Sequence, residues 1–208
     1  MTSVEQEPGD VGTMLKSLDS GLEASLVALR ARLARAAWDD HSLDIAYRVV
    51  ESPVGRLLLA ATARGMLRVA FQLEDHASVL QQLSNTVSPR ILEAPGLLDE
   101  AARQLDEYFS GQRRTFNLPL DFSLSRGFRL DVLHHLPHIA YGTTESYSQV
   151  ARAAGSPNAV RAVGTACATN PLPVIVPCHR VVRTDGTYGG YLGGTEAKRT
   201  LLTLEAAA

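Results

Sequence analysis

The chain has 208 residues, of which 45% are hydrophobic, and a formal net charge of −2. That length allows one large domain or two small ones with a real core, while the charge excludes a protein whose whole surface binds nucleic acid. No apolar stretch approaches the roughly 20 residues of a membrane span, and the polar, acidic first ten residues do not read as a secretory signal, so we expect a cytoplasmic protein with no membrane partner.

Residues 1–42 are predicted to form an N-terminal tail and one amphipathic helix. Residues 1–12 are rich in acidic residues, glycine and proline, which is typical of a mobile tail. From Leu15 onward, leucines recur at spacings of three or four residues, and Asp39 and Asp40 end the helix. They are Leu18, Leu22, Leu26, Leu29 and Leu33. Such a face packs on its own domain or on a partner, and a regulatory or dimerising role is the alternative.

The pattern changes to that of a small α/β domain over about residues 43–110. Three short apolar strands between residues 45 and 71 are joined by tight turns at Pro53–Gly55 and Ala63–Gly65. One helix is predicted near residues 76–83, and a second over 97–110, ended by Gly111. The second helix should bury Leu98, Ala101, Ala102, Leu105, Tyr108 and Phe109. Residues 112–126 then form a crossing segment.

Helices dominate from Phe128 onward. The pattern predicts helices over residues 127–137, over Tyr147–Ala154 with Ser146 as its N-cap, and over Asn158–Thr169. The last two are joined by a turn at Gly155–Pro157, which indicates a helix-turn-helix unit. Residues 141–208 carry a net positive charge and the rest of the chain a net negative one, so an anionic partner would be tolerated here.

A reactive cysteine is indicated by Cys178 and His179, which follow an apolar run and Pro177. Proline holds the preceding residue in extended geometry and has no N–H of its own, so we expect the thiol at the rigid end of a buried strand. Cysteine reacts as the thiolate, which a nearby histidine can generate. A small hydrophobic core residue is the alternative. Neither Cys178 nor Cys167 has zinc-ligand spacing, and no metal is expected.

Ordered motifs over residues 127–205 resemble the O6-alkylguanine-DNA alkyltransferase family. They are Tyr141–Tyr147, Gly155–Gly164, Asn170–Pro173, Pro177–Val181, Gly189–Gly194, Lys198 and Leu201–Glu205. Residues 44–122 match more loosely, through the Ser52–Gly55 turn and the helix at 103–111, and the first forty residues have no counterpart.

The resemblance implies an α/β (α+β) fold with a ribonuclease-H-like domain over residues 43–122 and a winged-helix-like domain with a helix-turn-helix over 123–208. It also implies direct-reversal DNA repair. One cysteine takes the alkyl group from O6 of guanine, and from O4 of thymine, and each molecule acts once. The expected partner is double-stranded DNA containing alkylated guanine, bound by a monomer without a cofactor. In a prokaryote such a protein would be associated with the nucleoid.

The resemblance also assigns roles to five residues around the reacting group. Cys178 would be the nucleophile, His179 the base that acts through a bound water, and Glu205 the carboxylate that orients the imidazole. Tyr147 would donate to N3 of the guanine as a general acid. Asn170 would brace the turn that holds the cysteine.

Further residues are expected to contact DNA or the flipped base. Arg161 would enter the base stack and fill the space that the flipped nucleotide leaves, while small neighbours allow close approach to the minor groove. The remaining expected DNA contacts are Ala159, Gly164, Ser148, Ser156 and Thr184. The expected walls of the alkyl and base pocket are Pro173, Val181, Tyr191, Gly189 and Gly190.

Two positions depart from the family pattern, and three other functions compete with alkyl transfer. Leu133 stands where the family usually has a tryptophan. Leu192 replaces a smaller or polar residue, which would narrow the pocket or change its tolerance for bulky alkyl groups. One rival is a lesion-binding protein without chemistry, but Cys178, His179 and Glu205 are all retained. A regulatory helix-turn-helix protein is the second. A Cys-His hydrolase is the third, and it lacks an oxyanion-hole motif.

Overall fold

The computed structural model describes residues 11–207, so the predicted tail lies outside the described residues except for Val11 and Gly12. These two begin α1 (Val11–Asp39). The described leucines of the predicted apolar face, Leu22, Leu26, Leu29 and Leu33, are 44–60% exposed. For these four, packing on their own domain is therefore wrong, while packing on a partner stays a prediction. The helix is attached by Ala34, which is buried, and by Ala37 and Trp38.

A four-stranded sheet follows α1. Its strands are β1 (Ile45–Val50), β2 (Leu57–Thr62), β3 (Gly65–Phe71) and β4 (Ile91–Glu93). The order is β3-β2-β1-β4, with β1, β2 and β3 antiparallel and β4 parallel to β1. The first three strands were predicted. The three-residue β4 was not, because it is too short to show a period.

Gly65 lets the crossing segment lie directly on the sheet. Its φ is +132°, and a Cβ at this position would stand 2.2 Å from the carbonyl oxygen of Pro119. Met66 N donates to that oxygen at 2.8 Å, and Asp121 N donates to Met66 O at the same distance. Only glycine permits both the backbone angle and the close approach.

Helices cover both faces of the sheet. Alternate residues of each strand point to opposite faces, so Ile45, Leu58 and Leu67 pack with α2 (His76–Thr86), whereas Leu57, Leu59 and Val69 belong to the larger core on the other side. That core includes α3 (Asp99–Phe109), whose predicted inward residues are buried or partly buried as expected. The same core continues into the C-terminal helices.

Four helices and one short parallel strand pair form the C-terminal part. They are α4 (Phe128–His135), α5 (Tyr147–Ala153), α6 (Val160–Ala168), α7 (Gly194–Ala206), β5 (Glu145–Ser146) and β6 (Val181–Val182). Ser146 caps α5 as predicted, because its hydroxyl accepts from Gln149 N. Leu133, where the resemblance implies a tryptophan, is buried. Among the described residues no helix is long and apolar enough to cross a membrane.

Candidate active site

The segment that leads to Cys178 is a compact buried turn and not the predicted strand. Residues 171–176 have no regular secondary structure, and Val174 has a φ of 73°, which is rare for a β-branched residue. Three prolines in seven residues remove the N–H groups that a central strand would need. Val176 N donates instead to Leu172 O at 2.8 Å, which folds the chain back on itself.

Asn170 holds this turn together through both ends of its side-chain amide. Its Oδ1 accepts from Leu172 N at 2.9 Å, and its Nδ2 donates to Val176 O at 2.8 Å. The same Nδ2 lies 3.1 Å from Cys178 Sγ. One fully buried side chain therefore joins the folded turn to the sulfur.

Cys178 is a protonated thiol in this arrangement. It begins the short 3-10 helix Cys178–Arg180, and only 1% of its surface is exposed. Burial raises the pKa of the Cys178 thiol to about 11, although the hydrogen bond from Asn170 and the charge of Lys198 act in the opposite direction. The Lys198 ammonium is buried as well and donates to Val181 O at 2.6 Å. A thiolate here needs a base.

His179, the predicted base, follows Cys178 directly in the chain. Its Nε2 lies 2.8 Å from Glu205 Oε1, and a carboxylate can only accept, so Nε2 carries the proton and Nδ1 is the basic nitrogen. Nδ1 is buried and has no hydrogen-bond partner among the described residues. Burial lowers the pKa of His179, against the effect of Glu205, so the imidazole is neutral near pH 7.

Glu205 accepts more hydrogen bonds than any other group of the cluster. Arg180 donates through Nε to Oε2 and through Nη2 to Oε1, both at 2.9 Å, and Tyr108 Oη donates to Oε1 at 2.6 Å. Gly142 N adds a longer contact to Oε2 at 3.3 Å. Burial alone would raise the pKa of Glu205, but the hydrogen bonds from His179 and Arg180 lower it to about 2. The carboxylate is ionised despite its burial.

Tyr108 and Arg180 were not predicted as site residues. Arg180 lay within the cysteine motif, but its contact with Glu205, 25 positions later in the chain, was not predicted. Tyr108 was predicted to be a core residue of α3, and a tyrosine on an inward helix face needs a partner for its hydroxyl. That partner is 97 positions away in the sequence, so sequence spacing could not identify it.

The loop after β6 carries three of the five predicted base-pocket residues, and two of them pack on predicted site residues. Gly189 touches the half-buried Tyr147, because a Cβ on this glycine would stand 2.1 Å from Tyr147 Oη. Tyr191 packs edge-on against the rings of Phe71 and His179, with centroids 5.5 Å and 6.3 Å away. Of the other predicted wall residues, Pro173 and Val181 are buried, and Gly190 is exposed.

The predicted DNA-contacting residues lie outside the buried cluster. Arg161 is exposed in the first turn of α6, between the half-buried Ala159 and Gly164. Ser148 and Ser156 are half-buried, and Thr184 is exposed. The structure thus brings Cys178, Asn170, His179 and Glu205 together, and leaves the residues expected to touch DNA at or near the surface.

Comparison with known proteins finds matches to both the N-terminal and the C-terminal part of this chain. The model of the 6-O-methylguanine DNA methyltransferase ribonuclease-like domain matches residues 45–122, and that of its DNA-binding domain matches residues 127–207. A constitutive methylated-DNA–protein-cysteine methyltransferase of Bacillus subtilis is 41% identical over 160 residues, which are 76% of this chain and 94% of the relative. A Methanosarcina barkeri methylated-DNA–protein-cysteine methyltransferase is 38% identical over 76% of this chain and 96% of its own length.

Solved structures agree with these matches. The Mycobacterium tuberculosis O6-methylguanine methyltransferase superposes with a TM-score of 0.70 at 35% identity, covering 78% of this chain and 93% of that one. A Mycobacterium tuberculosis OGT in complex with DNA gives a TM-score of 0.69 at 38% identity over the same shares. The family resemblance and the fold class expected from the sequence are both confirmed.

Proposed function

Since the chain belongs to the 6-O-methylguanine DNA methyltransferase family, we propose that it repairs DNA by direct reversal and moves an alkyl group from O6 of guanine to Cys178. One buried cluster supports this proposal more than any other observation, namely the cysteine bonded to Asn170 beside a histidine bonded to Glu205. Every residue of the proposed chemistry comes from one chain, so one copy is sufficient for the reaction. We further propose that residues 43–122 and 123–208 are its two domains.

The first step is the formation of a thiolate. The proton of Cys178 Sγ passes through a bridging water to Nδ1 of His179, the nitrogen that has no other partner among the described residues. The imidazolium that results is stabilised by Glu205, whose pKa of about 2 keeps it ionised. Asn170 Nδ2 and the Lys198 ammonium favour the negative sulfur that is left.

The second step is a substitution at the alkyl carbon. The Cys178 sulfur forms a bond to that carbon while the bond from carbon to guanine O6 breaks, and the electron pair stays on the base. Tyr147 donates its phenolic proton to N3 of the leaving guanine, and solvent restores that proton. The product is a stable thioether, so each molecule acts once on alkylated guanine or, by the same chemistry, on O4-alkylated thymine.

Delivery of the base to the sulfur requires DNA binding. Because Cys178 is 1% exposed, the alkylated base leaves the duplex and enters a pocket bounded by Pro173, Val181, Gly189, Gly190 and Tyr191. Leaving the stack costs a few kcal/mol. Arg161 fills the vacated space, and the small Ala159 and Gly164 allow the groove to approach α6, with Ser148, Ser156 and Thr184 beside it.

Mass spectrometry of the protein after incubation with duplex DNA containing O6-methylguanine tests this function. We expect a gain of one methylene in mass on the peptide that contains Cys178, no gain in Cys178→Ser, and an undiminished gain in Cys167→Ser. DNA binding without any gain in mass would overturn the proposal in favour of a lesion-binding protein without chemistry. A gain in mass on the Cys167 peptide would mean that the proposal names the wrong sulfur as the acceptor.

A further inference from the structure

Four exposed leucines of α1, between residues 22 and 33, have a spacing that is the same in both chain directions. Leu22, Leu26, Leu29 and Leu33 are separated by four, three and four residues, so the pattern is symmetric about a point between Val27 and Ala28. At 3.6 residues per turn these four positions fall in a stripe roughly 60° wide. All four are 44–60% exposed, which is unusual for a row of large apolar side chains.

This leucine row continues as an apolar groove on the body of the protein. The groove has a volume of about 450 Å³ and lies between α1 and the edge strand β4. It is lined by Arg30, Leu33, Tyr47, Ile91, Leu92 and Glu93. Leu92 is itself 43% exposed. An element that covered the leucine row could therefore also reach the sheet edge.

We propose that α1 pairs in antiparallel orientation with α1 of a second copy of this chain. A two-fold axis between Val27 and Ala28 brings Leu22 opposite Leu33 of the other copy, and Leu26 opposite Leu29. A two-fold contact uses the same surface on both copies, and the four leucines between residues 22 and 33 meet that requirement, while Leu18 of the same predicted face lies outside the symmetric set. The pairing would bury side chains that each copy alone exposes to water.

Charges beside the row favour this occupant and this orientation. Glu23 and Arg30 are seven residues apart, so they lie on the same flank of the leucine stripe. Both are exposed, and neither forms an ion pair within the described part of the chain. Antiparallel pairing places each Glu23 near Arg30 of the other copy. Parallel pairing would place this flank of the two copies on opposite sides of the helix pair, so that neither Glu23 would meet an Arg30.

The contact is small, so the dimer should depend on concentration. A stable interface buries about 1,200–2,000 Å² in total, and one helix face with part of a groove is at the lower end of that range. We expect a dissociation constant on the order of micromolar. The alkyl-transfer site lies in one chain, and the dimer is independent of the chemistry proposed above.

Sedimentation equilibrium of the full chain between about 1 and 100 μM tests the pairing. We expect a monomer–dimer equilibrium that the double variant Leu26→Glu/Leu29→Glu shifts to monomer at every concentration. The matched control is Leu73→Glu, which changes a leucine that is 77% exposed outside α1 and should leave the equilibrium unchanged. A full chain that stays monomeric at the highest concentration overturns the proposal, as does a dimer that the double variant does not affect.

A charge swap tests the orientation. Glu23→Arg and Arg30→Glu should each weaken the dimer roughly tenfold, because every dimer contains two such pairs and each change replaces attraction with repulsion. The combined variant Glu23→Arg/Arg30→Glu should restore the original dissociation constant. These exposed changes leave the core intact, so a loss without restoration counts against the antiparallel arrangement.

Discussion

The two proposed domains contribute differently to the proposed reaction. The C-terminal part supplies the sulfur, the imidazole and the carboxylate, all buried, together with the exposed Arg161. The N-terminal part supplies the hydroxyl of Tyr108, which bonds to Glu205, and the ring of Phe71, which supports Tyr191. The reacting groups therefore belong to one domain, and the other domain fixes their positions from outside.

Buried charge explains why the reacting domain needs this support. Three charged residues, Arg180, Lys198 and Glu205, are all at most 6% exposed. A buried charge is tolerated only when its hydrogen-bonding capacity is satisfied. Glu205 accepts from three side chains and one backbone N–H, and one of these donors comes from the N-terminal domain. The division between the domains predicts an order of effects.

The largest effect should come from within the reacting domain, at Glu205. In Glu205→Gln the neutral amide does not stabilise the imidazolium, and Arg180 is left buried without its charged partner. We expect the single-turnover rate of alkyl transfer to fall roughly 100- to 1,000-fold. Glu196→Gln, an exposed change on the same helix, is the matched control and should leave the rate unchanged. A pH–rate profile that is the same in Glu205→Gln and the original chain would exclude Glu205 as the orienting group.

The same residue should control stability in acid. The pKa of Glu205 falls from an ordinary 4.5 to about 2 in the folded chain, so its contribution is present above pH 4.5 and is lost as the pH falls to about 2. The contribution is on the order of 3 kcal/mol. Denaturant unfolding between pH 5 and pH 2 should show the original chain losing this extra stability, while Glu205→Gln lacks that component. Equal pH slopes would contradict the depressed pKa.

A smaller effect should come from the surface of the reacting domain, at Arg161. Arg161→Ala removes the side chain that replaces the flipped base, so the rate on methylated duplex DNA should fall roughly 30-fold, within the few kcal/mol of unstacking. The rate on an O6-alkylated guanine free base should not change, because no stack is opened. Arg152→Ala, which removes an exposed charge from the neighbouring helix, controls for general attraction to phosphate. An equal loss on both substrates would place Arg161 in the chemistry instead.

Sequence patterns predicted the regular elements well for a physical reason. The strands between residues 45 and 71 and the helix α3 repeat apolar residues at their own period, so local pattern and burial agree. The turn before Cys178 could not be predicted in this way. Its apolar, β-branched run favours a strand, but three prolines and the bonds of the Asn170 side chain decide the conformation instead.

Long-range pairings were the other part that the sequence did not reveal. The family resemblance identified Cys178, His179 and Glu205 together, but no local rule joins Tyr108 to Glu205 across 97 positions. The leucine row of α1 indicated an amphipathic helix correctly, yet the pattern does not say which surface covers that row. The row is exposed because Ala34 and Trp38 attach the helix to the core by a different face.

The smallest of these effects should come from the other domain, at Tyr108. Tyr108→Phe keeps the ring in the core and removes the hydroxyl that donates to Glu205 at 2.6 Å. Hydrogen bonds to charged groups contribute about 1.5–3 kcal/mol, so we expect a loss of about 2 kcal/mol in the free energy of unfolding and a roughly tenfold slower alkyl transfer.

Tyr141→Phe is the matched control for this change. Its ring packs edge-on against Tyr108, with centroids 6.1 Å apart, and its buried hydroxyl has no hydrogen-bond partner among the described residues. Removing that hydroxyl should cost less than about 0.5 kcal/mol and leave the rate unchanged.

The pH–rate profile separates a positioning role from a loss of packing. Without the Tyr108 hydroxyl, Glu205 interacts more strongly with His179, which raises the pKa of His179, so Tyr108→Phe should need a higher pH to reach its full rate. Packing damage alone would lower the rate equally at every pH. If both phenylalanine variants slow the reaction alike and leave the profile in place, the N-terminal domain supports the fold of the site and not its proton transfer.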